Sequence, residues 1–399
     1  MRFLCTNSGG RRMGNGSTPD ETLAVKEDQA PPLRILMAGE GYWPWYQEAC
    51  GEALRSLGHT VRDFSWFKYF TMRPDEKTEA VPASLAARVQ NRLKFGPRMF
   101  SLNRGLLQDV MDFRPDVLFV YNGTNVFRDT LVEVKARCPG VFLVQYCNDN
   151  PFGKGSSRLL WRHLIRAVPS YDLHFVYRHQ NLLDFRRAGA PAVELLRSYY
   201  IPEVNHRVTL SQDDGRFSCD VVFAGHYEDD WRTECLEAIC RAGHRLTLFG
   251  GGWGEALKHL SPESPLRQLY PIRPAVGGDY LKALCGARIA LCFLSKLNRD
   301  TYTRRNFEIP ATGTFMLSEY TEDLTSLFEE GREAAFFRSK EELLDRVSHY
   351  LRHDNEREAV ARGGYERLLR DGHDVTSRMR QAIRCIRSYR GQFLKRETA

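Results

Sequence analysis

Short apolar runs alternate with segments of helical periodicity along almost the whole chain. The runs have the length of buried strands, and in the first half of the chain they lie at 33–38, 60–64, 116–121, 141–146 and 172–177. Strands that are apolar on both faces are typical of a parallel sheet covered by helices on each side. The pattern therefore predicts an α/β fold built on a doubly wound parallel sheet.

The alternation stops at a polar stretch without a clear period, residues 201–218, and then starts again. The later apolar runs lie at 219–225, 245–250, 288–294, 314–318 and 334–337. At 399 residues the chain is also too long for one ordinary domain. We therefore predict two doubly wound α/β domains, 33–200 and 219–372, which are joined by the linker 201–218 and face each other across a cleft.

The last segment, 373–399, has the pattern of an amphipathic helix. Its apolar positions recur at spacings of three and four, which places them on one helix face: Val375, Met379, Ile383 and Ile386. Such a face needs a partner surface. The segment is therefore predicted to cross back and pack on the first domain.

Composition indicates a globular protein in a reducing compartment. The hydrophobic fraction is 42%, and the ten cysteines include no C-x-x-C pair. No run of about 18 apolar residues, the length of a spanning helix, occurs. We therefore predict a cytoplasmic protein without disulfides. Residues 1–32 are polar and rich in Gly, and we expect a disordered leader there because few apolar side chains offset the entropy of ordering.

The net charge of +7 is concentrated near the C-terminus, where residues 355–399 hold eleven Arg or Lys against six Asp or Glu. The basic residues are spaced through amphipathic sequence, which favours the solvated faces of helices. Peripheral contact with an anionic membrane surface stays open as an alternative. No aromatic platform for bases is interleaved, so nucleic acid is not expected as a partner.

The stretch from Arg304 to Gly313 is the strongest candidate for a ligand site. It reads R-R-N-F-E-I-P-A-T-G and lies between the apolar runs 288–294 and 314–318. A strand, a polar loop, a short helix with one carboxylate and a second strand are how an open α/β sheet builds a crevice at the carboxyl ends of its strands. Glu308 is that carboxylate, and the alternative role for it is to cap the helix N-terminus.

Basic groups near this crevice are candidates for binding a phosphate group, because a guanidinium donates charge-assisted hydrogen bonds to phosphate oxygens. Arg305 is the first candidate and Arg232 the second. Arg232 follows the glycine turn at Gly225, where a phosphate can approach the backbone. The alternative for Arg232, which stands in E-D-D-W-R-T-E, is an ion pair with a neighbouring acid. His226 can donate to a phosphate or a sugar and is a catalytic candidate.

Several short motifs follow one another in a distinctive order. They are L-x-x-L-G-H-x-V from Leu54, R-P-D-V from Arg114, N-D-N-P-F from Asn148, V-x-F-A-G from Val221, L-N-R from Leu297, R-x-F-E-x-x-A-x-G from Arg305 and G-H at Gly372. This order resembles that of the GT-B glycosyltransferases, and within them the spore-maturation CgeB-type branch. The resemblance implies two Rossmann-like domains, a sugar donor linked to UDP, GDP or TDP, and a hydroxyl acceptor.

The resemblance also implies roles for single residues. Glu308 is expected at the ribose, because a carboxylate accepts two hydrogen bonds from a cis-diol, while the helix N-terminus and nearby arginines hold the diphosphate. The other donor-side candidates are Gly225, Asn298, Arg304, Ala311, Thr312 and Gly313. Asp300 stands eight positions before Glu308 and gives D-x7-E where many retaining members read E-x7-E. Asp300 is therefore a catalytic candidate, with its role and the stereochemistry left open.

Metal independence is a further implication of the resemblance. No pair of histidines has the spacing of metal ligands, so neither a metal nor a tightly bound cofactor is expected.

The first domain is expected to hold the acceptor and a catalytic base. Asp149 follows the apolar run 141–146 and can accept the proton of an acceptor hydroxyl, or alternatively stabilise the turn before Pro151. The loop after the first strand supplies further cleft candidates: Gly39, Glu40, Gly41 and Tyr42. Aromatic side chains crowd this loop, where they can stack on a sugar or pack against the other domain.

Together these features predict a glycosyltransferase, of hexosyltransferase type, that moves a sugar from a nucleotide sugar to a glycan, lipid or small-molecule hydroxyl. Fold alone does not fix function, so a nucleotide-sugar epimerase or a phosphorylase-like relative stays an alternative. The D-x7-E spacing keeps a second alternative open, which is a catalytically silent nucleotide- or sugar-binding protein.

Overall fold

The computed structural model describes residues 30–41, 44–70, 84–153 and 156–397. The predicted leader therefore lies almost entirely outside the described residues. In the described ranges, no helix has both the length and the apolar character needed to cross a membrane. The cysteines that the structure describes are all free thiols.

The first domain is built on a six-stranded sheet in which all neighbouring strands are parallel. Its strands are β1 (Arg34–Gly39), β2 (Thr60–Ser65), β3 (Val117–Tyr121), β4 (Phe142–Cys147), β5 (Leu173–Val176) and β6 (Val193–Leu195). Their order in the sheet is β2-β1-β3-β4-β5-β6. The first five lie where apolar runs predict strands. β6 has only 3 residues, too few to show a pattern in the sequence.

Helices cover both faces of this sheet. They are α1 (Ala49–Ser56), α2 (Leu85–Leu93), α3 (Pro97–Phe113), α4 (Arg128–Arg137), α5 (Arg158–Ala167) and α6 (His179–Arg187). The sequence pattern predicts one long helical stretch over 82–113, but the structure divides it into α2 and α3. The chain turns at Lys94 and Gly96, which have φ of 50° and 123°. Pro97 then starts α3, because a proline fits the first turn of a helix but not its interior.

The second domain is built on a five-stranded sheet that is also entirely parallel. Its strands are β7 (Cys219–Ala224), β8 (Leu246–Phe249), β9 (Ala287–Cys292), β10 (Phe315–Glu319) and β11 (Ala335–Phe337), in the order β11-β10-β9-β7-β8. The connecting helices are α7 (Arg232–Arg241), α8 (Trp253–His259), α9 (Gly278–Cys285), α10 (Arg305–Ala311) and α11 (Glu322–Leu327). The predicted pair of doubly wound domains is confirmed.

Three helices close the chain: α12 (Lys340–Arg352), α13 (Asp354–Asp371) and α14 (Val375–Glu397). α14 packs against α1 of the first domain. Its predicted apolar stripe is buried in the core that α1 shares with the first sheet: Val375, Met379, Ile383 and Ile386. The predicted return of the last helix to the first domain is confirmed.

Aromatic and charged contacts join the two domains beside the cleft. Tyr177, directly after β5, stacks on Tyr302 with ring centroids 4.6 Å apart, and the Tyr302 hydroxyl donates to the Tyr177 carbonyl oxygen at 2.6 Å. Arg197 pairs with Asp323 at 2.5 Å. These contacts set the loops that follow the strands of one sheet against those of the other.

Candidate functional site

A cavity of about 620 Å³, here called the cleft cavity, lies between the two domains. Its second-domain wall is formed by the ends of β7 and β8, by α9 and by the start of α10. The first-domain wall includes Trp45, Tyr46 and Glu52, and residues 201 and 203–205 of the linker also line the cavity. This position, outside the carboxyl ends of parallel strands, is where open α/β sheets bind ligands.

Glu308 is held in a fixed orientation on the wall of the cleft cavity. It lies in the first turn of α10, with Oε1 2.7 Å from Arg304 Nε, and Oε2 accepts a hydrogen bond from the Tyr280 hydroxyl at 2.8 Å. The carboxylate thus bonds side chains rather than capping the helix. Because each carboxylate oxygen accepts more than one hydrogen bond, Glu308 can still receive ligand hydroxyls.

Arg305 lies on the same wall, beside the two adjacent turns at Gly225 and Gly250, here called the glycine shelf. Its Nη2 donates to the Phe293 carbonyl oxygen at 3.4 Å, and its Nε has no hydrogen-bond partner among the described residues. Burial opposes the charge, but the neighbouring Cys292 and Tyr280 raise the pKa of Arg305, so the side chain remains a cation. A Cβ at Gly225 would lie 2.6 Å from the Phe223 ring and 3.1 Å from Arg305 Nη1. The glycine therefore lets the backbone pack closely against Phe223 and this cation.

Only a glycine fits at position 250 of the glycine shelf. Its φ is 148°, and a Cβ there would come within 1.9 Å of the Gly225 carbonyl oxygen. The turn after β8 therefore packs directly against the turn after β7, and His226 follows on the cavity wall.

Arg232, predicted as the second phosphate ligand, lies behind this loop and not on the cavity wall. Its side chain is only 2% exposed, its Nε donates to Asp230 Oδ1 at 2.7 Å, and its Nη1 donates to the His226 carbonyl oxygen at 2.8 Å. Glu228 lies 3.4 Å away as a second acid. In the structure Arg232 thus forms the ion pair with a neighbouring acid that is its alternative role.

Three of the predicted donor-side residues lie at the far end of α10 and line none of the three cavities described here. Ala311 is buried in the core. The Thr312 hydroxyl donates to the Ile309 carbonyl oxygen at 2.7 Å, and the Gly313 carbonyl oxygen accepts from Arg207 at 3.1 Å. They hold the C-terminal end of α10 in place, since a short helix cannot point both ends at one ligand.

Asp149 and Asp300 line a second, smaller cavity of about 130 Å³, the bridging cavity. Arg178, the second residue after β5, donates from Nε to Asp300 Oδ1 at 2.7 Å and from Nη1 to the Asn148 carbonyl oxygen at 3.0 Å. Burial raises the pKa of both aspartates, and Arg178 opposes that rise. Asn298 lines this cavity too.

A third cavity of about 510 Å³, the N-terminal cavity, lies in the first domain. Glu40, Gly41, Lys94 and Asp149 line it together with aromatic side chains. Lys94 Nζ donates to Asn125 Oδ1 at 2.8 Å and to Asn91 Oδ1 at 2.9 Å. Burial lowers the pKa of Lys94 to about 8, although Glu40 opposes the shift.

Two of the predicted cleft residues lie elsewhere. Gly39 lines none of these cavities; it lies against Gln47, whose Oε1 would be 2.2 Å from an added Cβ. Tyr42 lies outside the described residues.

The three cavities share walls. Tyr46 lines all three, Arg304 lines the cleft and bridging cavities, and Asp149 lines the bridging and N-terminal cavities. A ligand on Glu308 and another in the first domain would therefore meet near Asp149 and Arg304. Lys94, Arg178 and Tyr280 are site residues that the sequence did not indicate, because none stands in a motif.

One group of potential metal ligands occurs in the described ranges, on α12 and α13. It consists of His349, His353 and Glu356, with His349 Nε2 2.8 Å from Glu356 Oε2. These side chains line none of the three cavities.

Similar solved structures cover nearly the whole chain at low sequence identity. The sucrose-phosphate synthase from Thermosynechococcus elongatus has 12% identity and a TM-score of 0.61, with 90% of this chain and 99% of that chain covered. The Anabaena protein Alr3699/HepE in complex with UDP and glucose has 12% identity and a TM-score of 0.60, with 89% of this chain and 100% of that chain covered. The α,α-trehalose 6-phosphate synthase from Burkholderia multivorans has 12% identity and a TM-score of 0.62, with 93% of this chain and 99% of that chain covered.

The sequence comparisons give a narrower result. No curated protein matches the sequence. A family described as glycosyl transferase-like matches residues 232–384, which run from the start of α7 into α14. The chain thus has the GT-B fold, and its second half is similar to the glycosyl transferase-like family.

Proposed function

We propose that this protein is a GT-B glycosyltransferase that moves a sugar from a nucleoside diphosphate to a hydroxyl acceptor. The observation that carries this proposal is the pairing of a fixed carboxylate, Glu308, with an incompletely bonded cation, Arg305, on one wall of the cleft cavity. The similarity of residues 232–384 to the glycosyl transferase-like family supports it. So do the UDP and UDP-glucose complexes of the Anabaena protein with the same fold.

The donor is proposed to lie along the second-domain wall. Glu308 receives the ribose hydroxyls, and the diphosphate lies on the shelf of Gly225 and Gly250 next to Arg305. Charge-assisted hydrogen bonds from a guanidinium to phosphate oxygens are among the strongest in proteins. Departure of the nucleoside diphosphate builds negative charge there, and Arg304 and Arg305 can stabilise that charge without a metal ion.

The acceptor is proposed to enter from the N-terminal cavity. Asp149 lines both that cavity and the bridging cavity, so an acceptor hydroxyl in the first cavity can reach it. A raised pKa brings the carboxylate closer to the pKa of an effective general base near neutral pH. Asp300 is bound to Arg178 and therefore suits hydrogen bonding to the sugar better than nucleophilic attack.

Two finer assignments belong to the same proposal. The order of motifs supports a place in the CgeB-type branch, with a hexose as the transferred sugar. Free cysteines throughout the described ranges support a cytoplasmic location.

Replacing Glu308 with Gln tests the donor assignment. Glu308→Gln keeps the size of the side chain but removes the charge and one acceptor for the ribose, so affinity for UDP or GDP should fall about tenfold, the equivalent of about 1.4 kcal/mol. Isothermal titration calorimetry measures the affinity. Glu52→Gln, on the first-domain wall of the same cavity, is the matched control and should leave it unchanged. Equal affinities in all three proteins would sink the assignment.

A catalytically silent binding protein is the second candidate, and the ion pair that holds Asp300 is the observation in its favour. A measurement of donor turnover distinguishes the two functions. A transferase slowly releases nucleoside diphosphate from its donor even when water is the only acceptor, whereas a binding protein retains the donor intact. An epimerase would instead convert the sugar and release no nucleoside diphosphate.

A further inference from the structure

Helix α2 turns an apolar stripe away from the protein. Leu85, Val89 and Leu93 recur at a spacing of four on this helix, and they are 75%, 45% and 48% exposed. Ala87 is the only buried residue of α2. An amphipathic helix normally buries its apolar face in the core, so an outward stripe indicates a surface with a partner.

Neighbouring elements extend this stripe. Phe95 and Phe100, on either side of the turn into α3, are also exposed, with ring centroids 5.4 Å apart. Leu159 and Leu160 at the start of α5 are exposed as well. α5 is fixed beside α2, because Arg162 donates to the carbonyl oxygens of Leu93 and Lys94 at 2.7 Å each. We call residues 84–108 and 156–171 the basic-apolar face.

This face carries positive charge only. The two segments contain eight Arg or Lys and no Asp or Glu, although the whole chain has 50 acidic residues. Arg92, Arg158 and Arg166 are exposed there. The basic residues are thus interleaved with exposed apolar side chains on one side of the first domain.

We infer that the basic-apolar face docks on the surface of an anionic lipid bilayer. A helix that lies in the membrane interface combines an apolar stripe with flanking Lys and Arg, so that the stripe enters the headgroup region and the cations meet anionic lipids. A nucleic acid would satisfy the arginines but leave the leucines in water. The inference does not depend on the proposed transfer reaction.

The docked orientation places the N-terminal cavity at the membrane. Arg88 and Leu160, which belong to the basic-apolar face, also line that cavity. An acceptor hydroxyl on a lipid headgroup would then reach the cavity from the bilayer. The basic C-terminal segment is a poorer contact, because Arg390 of α14 pairs with Asp116 at 2.7 Å and Arg387 donates to the Pro31 carbonyl oxygen at 3.1 Å.

Vesicle co-sedimentation of the full chain tests the inference. We expect binding to an equimolar mixture of phosphatidylglycerol and phosphatidylcholine, and at least about tenfold weaker partition onto phosphatidylcholine alone. The triple variant Leu85→Ser/Val89→Ser/Leu93→Ser and the triple variant Arg92→Ser/Arg158→Ser/Arg166→Ser should each weaken partition onto the anionic vesicles at least about tenfold. All six side chains are exposed, so circular dichroism and the thermal midpoint should stay close to those of the parent.

Matched controls come from other surfaces. Leu369→Ser on α13 and Arg380→Ser on α14 also replace exposed side chains and should bind the vesicles like the parent. Equal partition of the parent onto both kinds of vesicle would overturn the inference. So would unchanged partition of both triple variants, or a parent that binds an RNA homopolymer through the same arginines and no vesicles.

Discussion

At the scale of single residues, the two arginines predicted to meet phosphate have different surroundings. Arg305 has a buried Nε without a hydrogen-bond partner among the described residues, whereas Arg232 is surrounded by two carboxylates and two backbone carbonyl oxygens. The sequence could not separate them, since each stands at the start of a helix that follows a strand of the second sheet. The separation depends on which atoms meet in space.

Replacing Arg305 tests the contact with the diphosphate. Arg305→Ala should weaken binding of a nucleoside diphosphate about ten- to hundredfold, because a lost charge-assisted hydrogen bond costs about 1.5–3 kcal/mol. Affinity for the bare nucleoside should hardly change. Calorimetric titration with both ligands gives the comparison, and equal losses for the two would mean that Arg305 does not contact phosphate.

Arg232→Ala should act on folding instead. The change leaves Asp230 and Glu228 without their buried cation, and breaking a buried pair costs about 3–5 kcal/mol. Urea unfolding should therefore show a clearly lower free energy of unfolding. If the variant were as stable as the parent and selectively lost diphosphate binding, Arg232 would instead be assigned as a ligand of the diphosphate.

At the scale of elements, apolar runs were sufficient to locate most strands. A strand buried on both faces has an apolar sequence whatever its neighbours, so β3, β4 and β9 are visible locally. β6 is too short to show such a run. The apolar positions of α2 predict a helix but not its outward stripe, because periodicity does not tell which side of a helix faces the core.

The turn after β8 is the element with the least tolerance for a side chain. Gly250→Ala combines a φ of 148° with a Cβ placed 1.9 Å from the Gly225 carbonyl oxygen, so β7 and β8 would have to separate. Backbone strain of this kind costs about 1–3 kcal/mol. We expect a lower thermal midpoint and weaker nucleotide binding.

Gly254 provides the control for this turn, because it lies in α8 with no atom near its added Cβ. Gly254→Ala should be neutral or stabilise the helix by about 0.5–1 kcal/mol. If both alanine variants behaved alike, the glycine shelf would not be constrained as described.

At the scale of the whole molecule, the pattern of two alternating α/β segments predicts two domains, but not the contacts between them. Arg178 and Asp300 lie 122 positions apart in sequence, and neither stands in a pattern that points to the other. The return of α14 was predictable because an apolar helix face requires a partner. Which helix it meets depends on the fold.

α14 is predicted to be part of the first domain rather than an appendage. Val375 donates its backbone N–H to the Tyr200 carbonyl oxygen at 3.0 Å, and the ring of His373 lies 5.0 Å from that of Phe307 in the second domain. The start of α14 and the residues just before it therefore contact both the end of the first domain and α10, next to the candidate donor site. A change in its packing should alter both stability and cleft closure.

Truncation after Asp371 and the point variant Met379→Ala test whether the packing of α14 affects stability and cleft closure. The truncation exposes the core that Met379 and Ile386 cover, and Met379→Ala alone should lower the free energy of unfolding by about 2–5 kcal/mol. Arg380→Ala, on the exposed face of the same helix, should change it by no more than about 0.5 kcal/mol. Small-angle scattering with and without UDP should show compaction in the parent and less in the truncated chain. A truncated protein that is fully stable and compacts normally would show that α14 does not couple the two domains.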